Sequence, residues 1–143
     1  MNSSHRVPIE ALDYRQDGYY YLDGKPFTGI GYSLFEDGRV AAEMEYREGL
    51  QDGRTREWYA TGQMMVDSTL VEGGVHGHAR EWHVNGVMAE DGEYDHGVAL
   101  WTRKWDEQGK LVKEYVLSPT DPRYEAIQRR LAQASCPRNP PKT

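Results

Sequence analysis

One arrangement constrains this chain more than any other: a unit of 23 or 24 residues occurs four times in register. Gly29, Gly53 and Gly77 form one column, with Leu100 as its only departure. Five residues on comes a bulky column, Leu34, Trp58, Trp82 and Trp105, and nine after the anchor stand Gly38, Gly62, Gly86 and Gly109. Self-similarity at a fixed period marks a repeat architecture, in which each unit buries its apolar side only by stacking on its neighbours.

Each unit reads as a β-hairpin. The dipeptides Asp37-Gly38, Thr61-Gly62, Asn85-Gly86 and Gln108-Gly109 stand between extended segments, and Asp-Gly and Asn-Gly favour two-residue turns because both positions tolerate φ > 0. Past the turn, Val40, Met64, Met88 and Leu111 form one apolar column, and Tyr46, Leu70, Tyr94 and Leu117 a second. Their even spacing predicts that both lie on one face of a sheet. Glu43, Asp67, Asp91 and Glu114, with Glu45 and Glu93, then fall on the other face.

The pattern resembles the MORN-variant repeat of bacterial YwqK-type proteins. The matching residues are Gly77, Trp82-His83, Asn85-Gly86, Glu90, Tyr94 and Gly97, and the resemblance spans about residues 18 to 117. It implies an all-β repeat fold, a single-layer twisted antiparallel meander of hairpins with one helix at its end. Residues 1–17 read as an extended lead-in with Val7, Ile9 and Leu12 as packing points, and 18–117 as the sheet. Its units lie near 29–52, 53–76, 77–99 and 100–117. Across 118–134 the pattern changes to a capping helix, with Asp121 as N-cap, Pro122 at the first helical position, and Tyr124, Ile127, Leu131 and Ala134 as one apolar stripe. Three prolines lie in 135–143, which reads as a disordered tail.

Composition narrows the function. With 38% hydrophobic residues the chain suits a thin sheet, and a net charge of −6 opposes binding to a phosphate backbone or an anionic membrane surface. No run of apolar residues is long enough to cross a bilayer or to serve as a secretory signal, and Cys136 has no partner in the chain, so the expected compartment is the cytoplasm. A basic protein partner is the natural complement.

Chemistry leaves little trace. The tryptophans read as core, with ring edges left for a partner. The acid column reads as neutralised by Arg56, Arg80 and Arg103 on neighbouring strands rather than as a cation site. His76, His78, His83 and His96 invite a zinc reading, but His76 and His78 straddle a bend at Gly77, no thiolate accompanies them, and Arg54 and Tyr59 occupy equivalent places one unit earlier. No metal and no cofactor is expected. No Gly-rich phosphate loop opens a helix and no nucleophile-and-base arrangement is visible, so an enzyme is not expected.

The resemblance implies an antitoxin or immunity protein that binds and neutralises a cognate, basic toxin. The alternative is an architectural scaffold or spacer without inhibitory activity. The expected partner surface consists of Glu45, Arg56, Glu57, Tyr59, Arg80, Glu81, His83 and Glu93. The expected structural positions are Gly53, Trp58, Gly62, Gly77, Trp82, Gly86, Trp105 and Gly109.

Overall fold

The computed structural model describes residues 5–134. The four repeats form eight strands: β5 (Gly29–Leu34), β6 (Val40–Arg47), β7 (Leu50–Trp58), β8 (Met64–Val71), β9 (Gly74–Trp82), β10 (Met88–Asp95), β11 (Val98–Trp105) and β12 (Leu111–Val116). They pair antiparallel in strict chain order, the meander that the repeat predicts.

The lead-in is more structured than an extended segment. Its β1 (Arg6–Pro8) pairs parallel with β5, so the nine-stranded sheet is mixed, and a 3-10 turn at Ile9–Ala11 follows. Ile9 and Leu12 pack where Gly31 has no side chain: a Cβ there would lie 3.2 Å from Ile9 and 3.4 Å from Leu12. Short strands β2 (Asp13–Tyr14), β3 (Tyr20–Leu22) and β4 (Lys25–Pro26) make a separate three-stranded sheet. The 135–143 tail lies outside the described residues.

Two kinds of turn alternate along the sheet, and they reverse the expected assignment. At Asn85-Gly86 the chain makes a three-residue loop, 84–86, closed by the His83 N–H donating to the Val87 carbonyl at 2.8 Å; within it the Gly86 N–H donates to the His83 carbonyl at 2.9 Å and only Gly86 has positive φ, +90°. Asn85 stays out of that region because its side-chain oxygen accepts the Val87 N–H at 3.0 Å, a local bond that Asp37 makes to Arg39 at 3.1 Å. The two-residue turns lie at the opposite end of the sheet, at Glu48-Gly49, Glu72-Gly73 and His96-Gly97, where both residues have positive φ.

The faces also differ from expectation. In the second strand of every hairpin one residue is inserted without a partner: Ala41, Met65, Ala89 and Val112. Each bulge cancels the even spacing between the two apolar columns, which therefore lie on opposite faces. Trp58, Trp82 and Trp105 pair with Met64, Met88 and Leu111 and, by alternation along their own strands, share a face with Arg56, Arg80 and Arg103. Arg56 lies over the Trp58 ring at 5.6 Å. These three tryptophans are half-buried rather than core.

The core sits elsewhere. Phe27 and Tyr46 are buried at the N-terminal end, their rings tilted by 58° with centroids 5.5 Å apart. At the other end Leu100, Trp101 and Leu117 pack with Ile127 and Leu131 of α1 (Tyr124–Ala134). Leu100 departs from the glycine column because its side chain is needed here, under the helix. The helix begins at Tyr124, later than expected, so Pro122 precedes it; Asp121 lies in the turn that leads in and accepts the Arg123 N–H at 2.8 Å. Trp101 is 1% exposed, and its indole N–H has no hydrogen-bond partner among the described residues.

Candidate partner-binding surface

One rung of the sheet runs Tyr32, Glu43, Arg56, Asp67, Arg80, Asp91, Arg103 and Glu114 across eight strands, so acid and base alternate from Glu43 onward. Opposite charges on adjacent strands attract and keep like charges apart, by about 0.2–1 kcal/mol per pair. The geometry bears this out. Arg56 and Arg6 grip the two oxygens of Glu43 at 2.9 and 2.7 Å, and Arg103 reaches Glu114 at 2.8 Å. Asp67 instead takes a two-pronged contact from Arg54, at 3.0 and 2.9 Å, which holds its carboxyl below the usual range. Asp91 takes His78, with Arg80 at 3.9 Å.

Arg54, Asp67, Thr69, His78 and Arg80 line an open hollow of about 330 Å³ near the middle of this face. Beside it Glu93 stands opposite both His78 and Trp101 in register. Glu93 is buried, and burial, with the charge of Asp91, pushes its carboxyl up, while His78 opposes the shift from 3.7 Å.

The other nominated residues are dispersed. Glu57 and Glu81 point to the opposite face, where each stands across from Val66. Tyr59 and His83 belong to the turn ends and tie hairpin to hairpin: the Tyr59 hydroxyl donates to the Trp82 carbonyl and the His83 imidazole to the Trp105 carbonyl, each at 2.8 Å. Asn85 adds a bond to the Glu107 carbonyl at 3.0 Å. The charged face thus unites Arg56, Arg80 and Glu45 with the half-buried tryptophans, while Glu93 is a buried acid and not a steering charge.

No protein-family model matches the chain. Immunity protein YwqK of Bacillus subtilis (strain 168) is 36% identical over 124 residues, an alignment covering 87% of this chain and 78% of that protein. The chain belongs to the YwqK immunity-protein family. Membership accords with the resemblance carried by the repeat. Among the described residues of this YwqK-family chain no helix is long and apolar enough to cross a membrane.

Arg54 and His78 line the hollow, and neither is among the expected surface residues. Their signal was available: both lie two residues before a nominated arginine, and alternation along a strand puts such pairs on one face.

Proposed function

We propose that this protein is a cytoplasmic immunity protein that neutralises a basic toxin by binding it directly through the charged face. The observation that carries the reading is the relationship to an immunity protein over 87% of the chain. Two features support the choice of face and partner. The net charge of −6 speeds the approach of a basic protein by electrostatic steering, and Glu45 is an exposed acid on that face. The half-buried Trp58, Trp82 and Trp105 stand beside the charge row, and aromatic rings next to arginines are the residue types that anchor interfaces.

The test starts with a pull-down from the source cell for a small, basic, growth-inhibiting protein. Steering and anchoring separate in the kinetics: Glu45→Gln slows association and weakens its salt dependence, whereas Trp82→Ala mainly speeds dissociation. Each variant is first checked for fold by circular dichroism. If the purified protein binds no such toxin and its expression fails to rescue cells producing one, the scaffold reading replaces this one.

A further inference from the structure

At the end of the sheet that carries the two-residue turns, His76 meets the neighbouring Asp95 and His96. His76 lies in β9, Asp95 ends β10, and His96 is the first residue of the two-residue turn that follows. Each offers a ligand atom within 4.8 Å of the other two. Nδ1 of His96 is 3.5 Å and Nδ1 of His76 is 3.9 Å from Oδ1 of Asp95, and the two imidazole centroids are 4.5 Å apart. We propose that His76, Asp95 and His96 form a binding site for a divalent transition metal of the zinc type.

The repeat supplies an internal control. One unit earlier the equivalent positions hold Asp52, Val71 and Glu72, and two units earlier Thr28, Arg47 and Glu48. The backbone is the same in all three: Glu48, Glu72 and His96 have φ of 48°, 49° and 47°. So is one hydrogen bond, in which the backbone N–H of these residues donates to Thr28 Oγ1, Asp52 Oδ2 and His76 Nδ1 at 2.9, 3.0 and 3.1 Å. A hydroxyl or a carboxylate is enough to cap this turn. The third unit instead carries an imidazole there, a second imidazole in the turn, and a buried acid between them.

The donor set fits the metal class. Two imidazoles and one carboxylate, with water at a fourth position, suit zinc and its neighbours, whereas magnesium and calcium seek several oxygen ligands and here find one carboxylate. Asp95 is 1% exposed and its other oxygen, Oδ2, is held by Arg130 of α1, which orients the carboxylate and leaves Oδ1 facing the histidines. Such outer hydrogen bonds are the usual support of a metal-bound carboxylate. The Nδ1 lone pair of His76 accepts the His96 N–H, so ligation by His76 requires that hydrogen bond to yield. Arg130 also places a positive charge nearby, so moderate affinity is expected rather than the tight binding of a structural zinc. The bound ion would fasten the β9–β10 ribbon to the helix through Asp95 and Arg130.

The experiment is calorimetric titration of the tag-free full chain with zinc chloride at about pH 7.5, where histidine is neutral. One equivalent binds, the melting temperature rises, and magnesium does neither. His76→Asn with His96→Asn removes both imidazoles while keeping an acceptor at 76 and a residue that tolerates positive φ at 96, and it weakens binding by at least about tenfold. His78→Ala with His83→Ala leaves the titration unchanged. Absence of a zinc-dependent heat or melting shift in the folded wild type, or full binding by the His76→Asn, His96→Asn variant, overturns the assignment.

Discussion

Ile127 gives the sharpest test of how the helix is held. It is 1% exposed and packs in the cluster with Leu100, Trp101, Leu117 and Leu131. Substitution by Ala deletes three buried side-chain carbons, a transfer loss of about 2.4 kcal/mol at about 0.8 kcal/mol per methylene. The cavity left beneath the helix adds to this, because the Trp101 ring and the backbone of β11 collapse only in part, and the total reaches about 3–4 kcal/mol. Val112, 59% exposed on the edge strand, is the matched control, and its change to Ala costs under about 0.5 kcal/mol. Urea unfolding followed both by tryptophan fluorescence and by far-UV dichroism measures each cost. It also shows whether helix and sheet unfold together, as the shared cluster requires. An Ile127→Ala cost below about 1 kcal/mol, or equal to that of Val112→Ala, would refute the packing of α1 on the last hairpin.

Three further outcomes follow from turns and charges. Gly86→Val, forced to φ near +90°, destabilises by about 1–3 kcal/mol and by more than Val87→Thr; coincident denaturant midpoints for the two would reject the turn assignment. Glu93 has a folded-state pKa raised above the ordinary 4.5, so its stabilising contribution is present below that value and is lost as pH rises through the raised one. Glu93→Gln should therefore gain melting temperature relative to the wild type from about pH 4.5 upward, and a pH-independent difference would count against it. Asp121 is held at about 2 by its bonds to Arg123, against an ordinary 3.8, so its contribution is present above 3.8 and is lost as pH falls toward 2. In an acid titration read by dichroism, Asp121→Asn should lack the part of the helix loss that the wild type shows in that window.

Much of the fold was legible because the repeat imposes it. Columns such as Gly53 with Gly77 place every hairpin, and the acid and arginine columns foretell a paired charge row, since register carries each Glu or Asp beside an Arg. The faces were not legible, for a physical reason. The inserted residues Ala41, Met65, Ala89 and Val112 carry no common side chain, so nothing in composition announces a bulge, yet one extra residue per strand moves Val40, Met64, Met88 and Leu111 to the face opposite Tyr46, Leu70, Tyr94 and Leu117. The two-residue turns were hidden in the same way: Glu48 and Glu72 adopt positive φ without being residues that favour it. Of the candidate surface, the arginines could be read from spacing. The burial of Glu93 depends on neighbouring strands, and the meeting of His76, Asp95 and His96 on a turn that brings residues twenty apart into contact.

The strict chain order of the eight repeat strands also has a mechanical consequence. Each strand from β5 to β12 bonds only to its sequence neighbours or, at the start, to β1. A pull on the two ends of such a ribbon loads one hairpin at a time, like a zip, instead of shearing many strands at once. Contacts that are close in sequence also form early, so the array should regrow from any intact hairpin outward once tension is released. A chain of this design yields at low force and recovers quickly, with the helix, held through Ile127 and Leu131, as the stop at one end and β1 as the stop at the other.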